Sequence, residues 1–359
     1  MVTADATTPT RPAPEVDGSG DAWGPDGLRR AVADRFLALT SAHGAGRAGG
    51  PALGDVPLPG SGRTAERFLV LYGLGREDLC VARLVEGHLD AVAILDELAG
   101  PRVEPGERWG VWAAQPPGPG LGARRVDGRW VLDGLKPYCS GAHSCTHALV
   151  TADSGEGRRL FAVRVAQPGV RPVPGSWRAI GMAGSDTPDV DFTGVEGTPV
   201  GEVDAYLRRP GFQHGGIGVA ACWLGGARAV AETLYASARR RTHDAIAAAH
   251  LGAVDMLLSS ASTVLERAAE DIDADPLDAL GGARMRSLRV RALAELVCTQ
   301  VLDHVGRATG AGPLCHDPRH ARAAADLAVY VRQHHAERNL AELGRLFGAR
   351  DEDGKEEHR

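Results

Sequence analysis

The chain has 359 residues, of which 43% are hydrophobic; that is more than one core comfortably uses, so two or three domains are expected. A net charge of −6, with 40 Lys and Arg scattered rather than gathered in a stripe, excludes a nucleic-acid-binding surface. No uninterrupted apolar run of about 18 residues and no signal-type apolar segment occur, so neither a membrane span nor a secretory leader is expected.

Residues 1–24 are rich in Thr, Pro, Asp and Gly and are expected to be a disordered tail. An N-terminal helical domain is expected over 25–108. It holds a helix near Leu28–Leu39, a Gly/Ala/Pro loop from Ser41 to Arg63, and two helices between Thr64 and Gly100. From 109 to 205 the composition changes to short apolar runs between Gly and Pro turns: Trp109–Ala114, Trp130–Leu132, Ala148–Thr151, Leu160–Val165 and Val190–Phe192. These predict a small β-domain.

From 206 to 347 four long helical patterns follow: Val219–Arg240, Ala245–Ile272, Gly282–Thr309 and Pro318–Leu346. Their apolar stripes must be buried against one another, so a four-helix bundle is expected, with a second disordered tail over 348–359. The six cysteines (Cys80, Cys139, Cys145, Cys222, Cys298, Cys315) have no CxxC spacing, and no histidines fall in a metal-ligand pattern. Reduced thiols, a cytoplasmic location and no metal site are the expectation.

Two segments carry chemistry. One is Gly134-Leu135-Lys136-Pro137-Tyr138-Cys139-Ser140, at the end of a strand. The other is Gly181-Met182-Ala183-Gly184-Ser185-Asp186-Thr187-Pro188-Asp189-Val190-Asp191-Phe192. Alone, the first also suits a hairpin with an exposed polar turn. In this order and spacing, between an N-terminal helical part and a C-terminal bundle, the two resemble the middle domain of the acyl-CoA dehydrogenase superfamily of flavoproteins. The resemblance runs from about Gly75 to Gly344 and implies an α+β fold of three parts: N-terminal helical domain, middle β-barrel-like domain and C-terminal four-helix bundle.

The resemblance implies that Tyr138, Cys139 and Ser140 line a flavin, FAD or alternatively reduced FMN, with the Ser140 hydroxyl near ring atom N5. Gln115 falls where the superfamily's first flavin strand ends, although Ala114 replaces its hydroxyl-bearing residue; residues 115–120 also read as a loop without a ligand. Arg240, in Arg239-Arg240-Arg241, stands where relatives hold the flavin pyrophosphate across a subunit interface, and arginines at a helix end also complement its dipole. A homodimer or homotetramer is the corresponding expectation.

The superfamily's dehydrogenases remove an α-proton with a Glu carboxylate while hydride leaves for the flavin. Counting eight residues from Asp326 arrives at His334 instead, and the other known place for the Glu, near Gly218 and Val219, is also empty. His334 is therefore the candidate catalytic base, against the alternative that His334 and His335 belong to a solvated helix face. A His here is similar to the superfamily's flavin monooxygenases. Three functions follow. The first is α,β-dehydrogenation of an acyl thioester of CoA or a carrier protein, with an electron-transfer partner. The second is a two-component monooxygenase supplied by a flavin reductase, and the third is a non-catalytic member of the fold.

Overall fold

In the computed structural model, residues 24–41, 53–115, 118, 120–240 and 244–356 are described. Residues 1–23 of the first expected tail, residues 42–52 of the Ser41–Arg63 loop, and the prolines 116, 117 and 119 lie outside them.

The N-terminal part holds α1 (Pro25–Thr40), α2 (Thr64–Glu77) and α3 (Leu79–Glu97). Only Asp78 separates α2 from α3, and its carboxylate caps the new helix by accepting the N–H groups of Cys80 and Val81 at 2.8 and 3.1 Å. Almost every face of α3 is buried, because it is packed by α1, α2, the first strand of the sheet and the bundle.

The middle part is one mixed sheet of eight strands. In chain order they are β1 (Trp109–Trp112), β2 (Gly122–Val126), β3 (Arg129–Lys136), β4 (His147–Asp153), β5 (Arg158–Arg164), β6 (Val170–Pro172), β7 (Val190–Glu196) and β8 (Thr198–Val200). Their order in the sheet is β6-β7-β3-β2-β4-β5-β8, with β1 parallel to β4. Three of these, β2, β6 and β8, fall outside the strands expected from the sequence. β2 pairs antiparallel with β3 through Asp127-Gly128, both with positive φ. That is the tight hairpin turn for which an Asp-Gly pair is suited.

The C-terminal part contains α4 (Ala205–Arg208), α5 (Pro210–Arg240), α6 (Ala245–Ala274), α7 (Ala283–Thr309), α8 (Gly312–His316), α9 (Pro318–Tyr330) and α10 (Glu337–Glu356). α5 is central and packs on α2, α3, α6, α7 and α9. Its contact with α2 is backbone on backbone: a Cβ at Gly75 would lie 2.2 Å from the Cys222 carbonyl oxygen, and one at Gly225 would lie 2.1 Å from that of Tyr72. By length and composition α6 is apolar enough to cross a membrane. It lies along α7, burying Val254, Leu258, Ala261 and Leu265.

Three boundaries differ from the sequence reading. α5 starts at Pro210 rather than Val219, because glycines that weaken an isolated helix here admit neighbouring side chains: Gly215 faces Asp90 and Gly211 faces Glu97. The expected helix Pro318–Leu346 is broken. α9 ends at Tyr330, a 3-10 turn covers Val331–Gln333, His334 is extended (φ −78°, ψ 128°) and Ala336 is left-handed (φ 42°). Tyr330 and Val331 turn into the core while Arg332 reaches across to Glu295 and Thr299 of α7. His334 and His335 thus lie in a turn and not on a helix face. The last helix runs on to Glu356, through residues expected to be a tail.

Candidate active site

The turn after β3 sends three consecutive side chains in three directions. Tyr138, at φ 58°, is 55% exposed; Cys139 is fully buried, with its thiol 3.2 Å from the Lys136 carbonyl; Ser140 is buried and faces α3. The exposed ring and the backbone of this turn are thus the parts of Tyr138 and Cys139 that a flavin can meet. Lys136 is structural: its ammonium donates to the Thr151 carbonyl and hydroxyl at 2.7 and 2.8 Å.

The second sequence segment wraps this turn. Gly141 N–H donates to the Ser185 and Asp186 carbonyls, Cys139 N–H to that of Pro188, and the Thr187 hydroxyl to Ser140 Oγ at 3.1 Å. Asp186, left-handed at φ 46°, accepts from the His143 backbone N–H at 2.9 Å. Ser140 accepts from Thr187 and retains its own proton to donate, which suits the acceptor atoms along a flavin ring. The loop is docked on the bundle through Asp326, which accepts the Met182 N–H and pairs with Arg322.

Behind Ser140 lies a crevice too narrow to hold a water molecule, lined by Arg83, Leu84 and Gly87 of α3, Trp109, Gly110 and Val111 of β1, and Cys145. Arg83 leads inward. Its guanidinium donates to Glu86 at 2.6 Å, and both side chains are largely buried. Burial pushes the Glu86 carboxyl up and Arg83 pulls it part of the way back. On the same face of α3 Asp90 meets Arg209, which also holds Glu97 at 2.8 Å.

Arg83 is close enough to Tyr330 for each to act on the other's charge, and Tyr330 packs edge-on against Trp223 of α5, with ring centroids 6.2 Å apart. Over the Trp223 ring, at 4.7 Å, sits Arg291 of α7, held by the Gly216 carbonyl at 2.7 Å. Burial lowers its pKa to about 10, and it belongs to no ion pair among the described residues. Beside it is His334, 5% exposed; burial and the positive field of Arg291 push its pKa below the usual histidine value.

The polar atoms at the centre of this seam have no protein partner: Arg83 Nε, Trp223 Nε1, Tyr330 Oη and both ring nitrogens of His334. A buried donor or acceptor left unpaired costs roughly 1–3 kcal/mol, so such a concentration is characteristic of a site rather than of a core. The fold therefore links Ser140 to His334 through Arg83, Tyr330 and Trp223. None of these three linking residues was singled out in the sequence. The signal available was Arg83, Glu86 and Asp90 recurring on one face of an otherwise apolar helix.

Gln115 and Arg240 are not part of this group. Gln115 is exposed beyond β1, and Arg240 is the exposed last residue of α5, roughly 25 Å along the helix axis from Trp223. One chain alone does not bring Arg240 to Ser140.

No protein-family model matches the chain, and neither does any of the curated proteins. Solved structures do match. TdsC from Paenibacillus sp. A11-2, determined with FMN and indole, is 18% identical with a TM-score of 0.71, over 90% of this chain and 94% of TdsC. Butyryl-CoA dehydrogenase from Megasphaera elsdenii is 17% identical with a TM-score of 0.71, over 89% and 90%. KijD3, determined with FMN and a dTDP-linked amino-keto sugar, is 18% identical with a TM-score of 0.67, over 86% and 81%. The chain has the acyl-CoA dehydrogenase fold, as the resemblance in its middle segments implies.

Proposed function

We propose that this protein is a flavin-dependent oxidoreductase, with FAD or reduced FMN against the Tyr138–Ser140 turn and substrate between that turn and His334. The observation that carries this reading is the buried, unpartnered His334 at the far end of the polar seam that begins at Ser140. Flavin-bound structures of the same fold, including TdsC and KijD3, support it. When bound, the flavin supplies hydride acceptance or, reduced, the means of activating oxygen.

The chain's own residues would do the rest. Ser140 donates a hydrogen bond to the ring. His334, kept neutral by burial and Arg291, accepts a proton from substrate, and Tyr330 and Trp223 supply donors to an oxygen that gains charge. A neutral imidazole in place of a carboxylate favours the monooxygenase reaction, fed by a flavin reductase. α,β-Dehydrogenation of an acyl thioester is the second reading, favoured by the equal similarity to butyryl-CoA dehydrogenase. It requires a carboxylate base, and the nearby buried Glu86 is held by Arg83. The reading takes the protein to act in the cytoplasm, as a homodimer or homotetramer in which Arg240 serves the flavin of a neighbouring chain.

The test is to titrate the purified protein with FAD and FMN, oxidised and reduced. Substrate-dependent oxygen uptake with a flavin reductase is then compared with reduction of an electron acceptor by octanoyl-CoA. Flavin binding with reductase-dependent oxygen uptake is expected. His334→Gln should retain flavin and lose about 100-fold or more in turnover. The residual pH dependence of the native protein should show an acid limb below the ordinary histidine value of about 6.5, with a plateau above it, because His334 must be neutral to act. Absence of binding to every flavin form removes the proposal.

A further inference from the structure

The seam behind Ser140 is unsuited to hydrocarbon. Along α3 it carries Arg83, Glu86 and Asp90; on α5 Gly215 faces Asp90, Cys222 lies near Glu86 and Arg83, and the large side chain is Trp223, whose ring brings an N–H. Its charges are unevenly paired: Arg83 faces Glu86 and Arg209 faces both Asp90 and Glu97, whereas Arg291 belongs to no ion pair among the described residues and donates only to the Gly216 and Gln333 carbonyls. Its unpartnered atoms are mostly donors, with Asp90 Oδ1 an acceptor among them at the Arg209 end. Trp223 Nε1 and Arg83 Nε can only donate, Tyr330 Oη can donate, and a neutral His334 offers one N–H and one lone pair. Trp223 and Tyr330 are 0% and 2% exposed, so the groups are shielded from water.

Unpaired donors beside a guanidinium that has no carboxylate partner are complementary to a compact negative charge. We propose that this site takes a small substrate bearing one anionic oxygen group, such as a carboxylate, bound by Arg291 with Tyr330 and Trp223, and that it does not take an acyl chain. The location at a substrate site rests on the flavin reading above, while anion binding itself does not require flavin. The Glu86–Arg83 pair closes the α3 side, so the body of the ligand must be short. His334, adjacent to Arg291, is placed to exchange a proton with a group next to the anchored anion.

The experiment is calorimetric titration with benzoate, its neutral isostere benzamide, and octanoyl-CoA, on the native protein and on Arg291→Met and Tyr330→Phe, alongside a separate flavin titration. Benzoate is expected to bind about tenfold or more tightly than benzamide, and octanoyl-CoA not to saturate. Arg291→Met should bring benzoate and benzamide within about twofold of each other, and Tyr330→Phe should weaken benzoate by about three- to tenfold, both with flavin affinity unchanged. Equal binding of benzoate and benzamide, or the preference surviving in Arg291→Met, overturns the proposal. So does saturable binding of octanoyl-CoA. If Arg291→Met fails to fold, Tyr330→Phe decides alone: benzoate affinity equal to native overturns it. Benzoate preference without flavin binding retains the anion site and removes the flavin reading, and flavin binding without benzoate preference does the reverse.

Discussion

Two interiors of this molecule are differently built. In the sheet, Trp112, Leu132, Phe161, Phe192 and Val190 form an apolar core, and the one buried ammonium beside them, Lys136, is satisfied twice by Thr151. In the seam between α3, α5, α7 and the turn after α9, the buried groups include Arg83, Glu86, Tyr330 and His334, and several of their polar atoms are unpaired. The first interior has spent its polar capacity on itself. The second has kept capacity for something else, and the fold carries the cost because the sheet and the apolar flanks of the bundle hold the frame.

If the sheet is the frame, truncating it should cost most. Phe161 is fully buried and packs edge-on against Trp130 with centroids 5.4 Å apart. Phe161→Ala is expected to lose about 3–5 kcal/mol, measured by urea unfolding, with flavin affinity per folded molecule unchanged. A loss of flavin affinity without a loss of stability would assign the binding role to the sheet core and undo the contrast.

The border between the two regions should respond to pH. His88 of α3 is buried, its ring nitrogen accepts the Trp109 N–H at 3.2 Å, and burial pushes its pKa down to about 4. Unfolded, it titrates near 6.5. Above that value both states are neutral and stability is complete. As the pH falls from about 6.5 to about 4, the unfolded chain binds a proton that the native state refuses, and up to roughly 3 kcal/mol is lost. Unfolding free energies across that range should decline for the native chain and decline less for His88→Gln; parallel slopes would mean that His88 is not the group responsible.

The sequence displayed the frame better than the seam, for a physical reason. Periodicity reports which residues share a face, so α2, α3, α6 and α7 and five of the strands were legible from it. The Asp127-Gly128 turn was an available signal for β2. The glycines of Pro210–Gly218 masked the start of α5, since local propensity counts against them and only their closeness to Asp90 and Glu97 explains them. The break after Tyr330 was hidden by a helical pattern that continues through it. Counting from Asp326 leads to His334, which the structure places in the extended turn after α9. Trp223 and Arg291 could not be associated with it, since they come from α5 and α7 and meet only through packing.

The smallest expected effects form the sharpest comparison, because each removes a single hydroxyl. Thr151→Val deletes the oxygen that accepts from Lys136 at 2.8 Å and leaves a buried ammonium with one partner fewer. It should cost about 1–3 kcal/mol. Tyr330→Phe deletes a hydroxyl that has no protein partner, and the ring keeps its place against Trp223. Folding no longer has to bury an unpaired group, so stability should be equal to native or up to about 1 kcal/mol higher. Chemical denaturation of the two variants side by side checks this. Should Tyr330→Phe lose as much as Thr151→Val, the Tyr330 hydroxyl is bonded within the folded chain, and the seam is a second structural core with nothing reserved for a ligand.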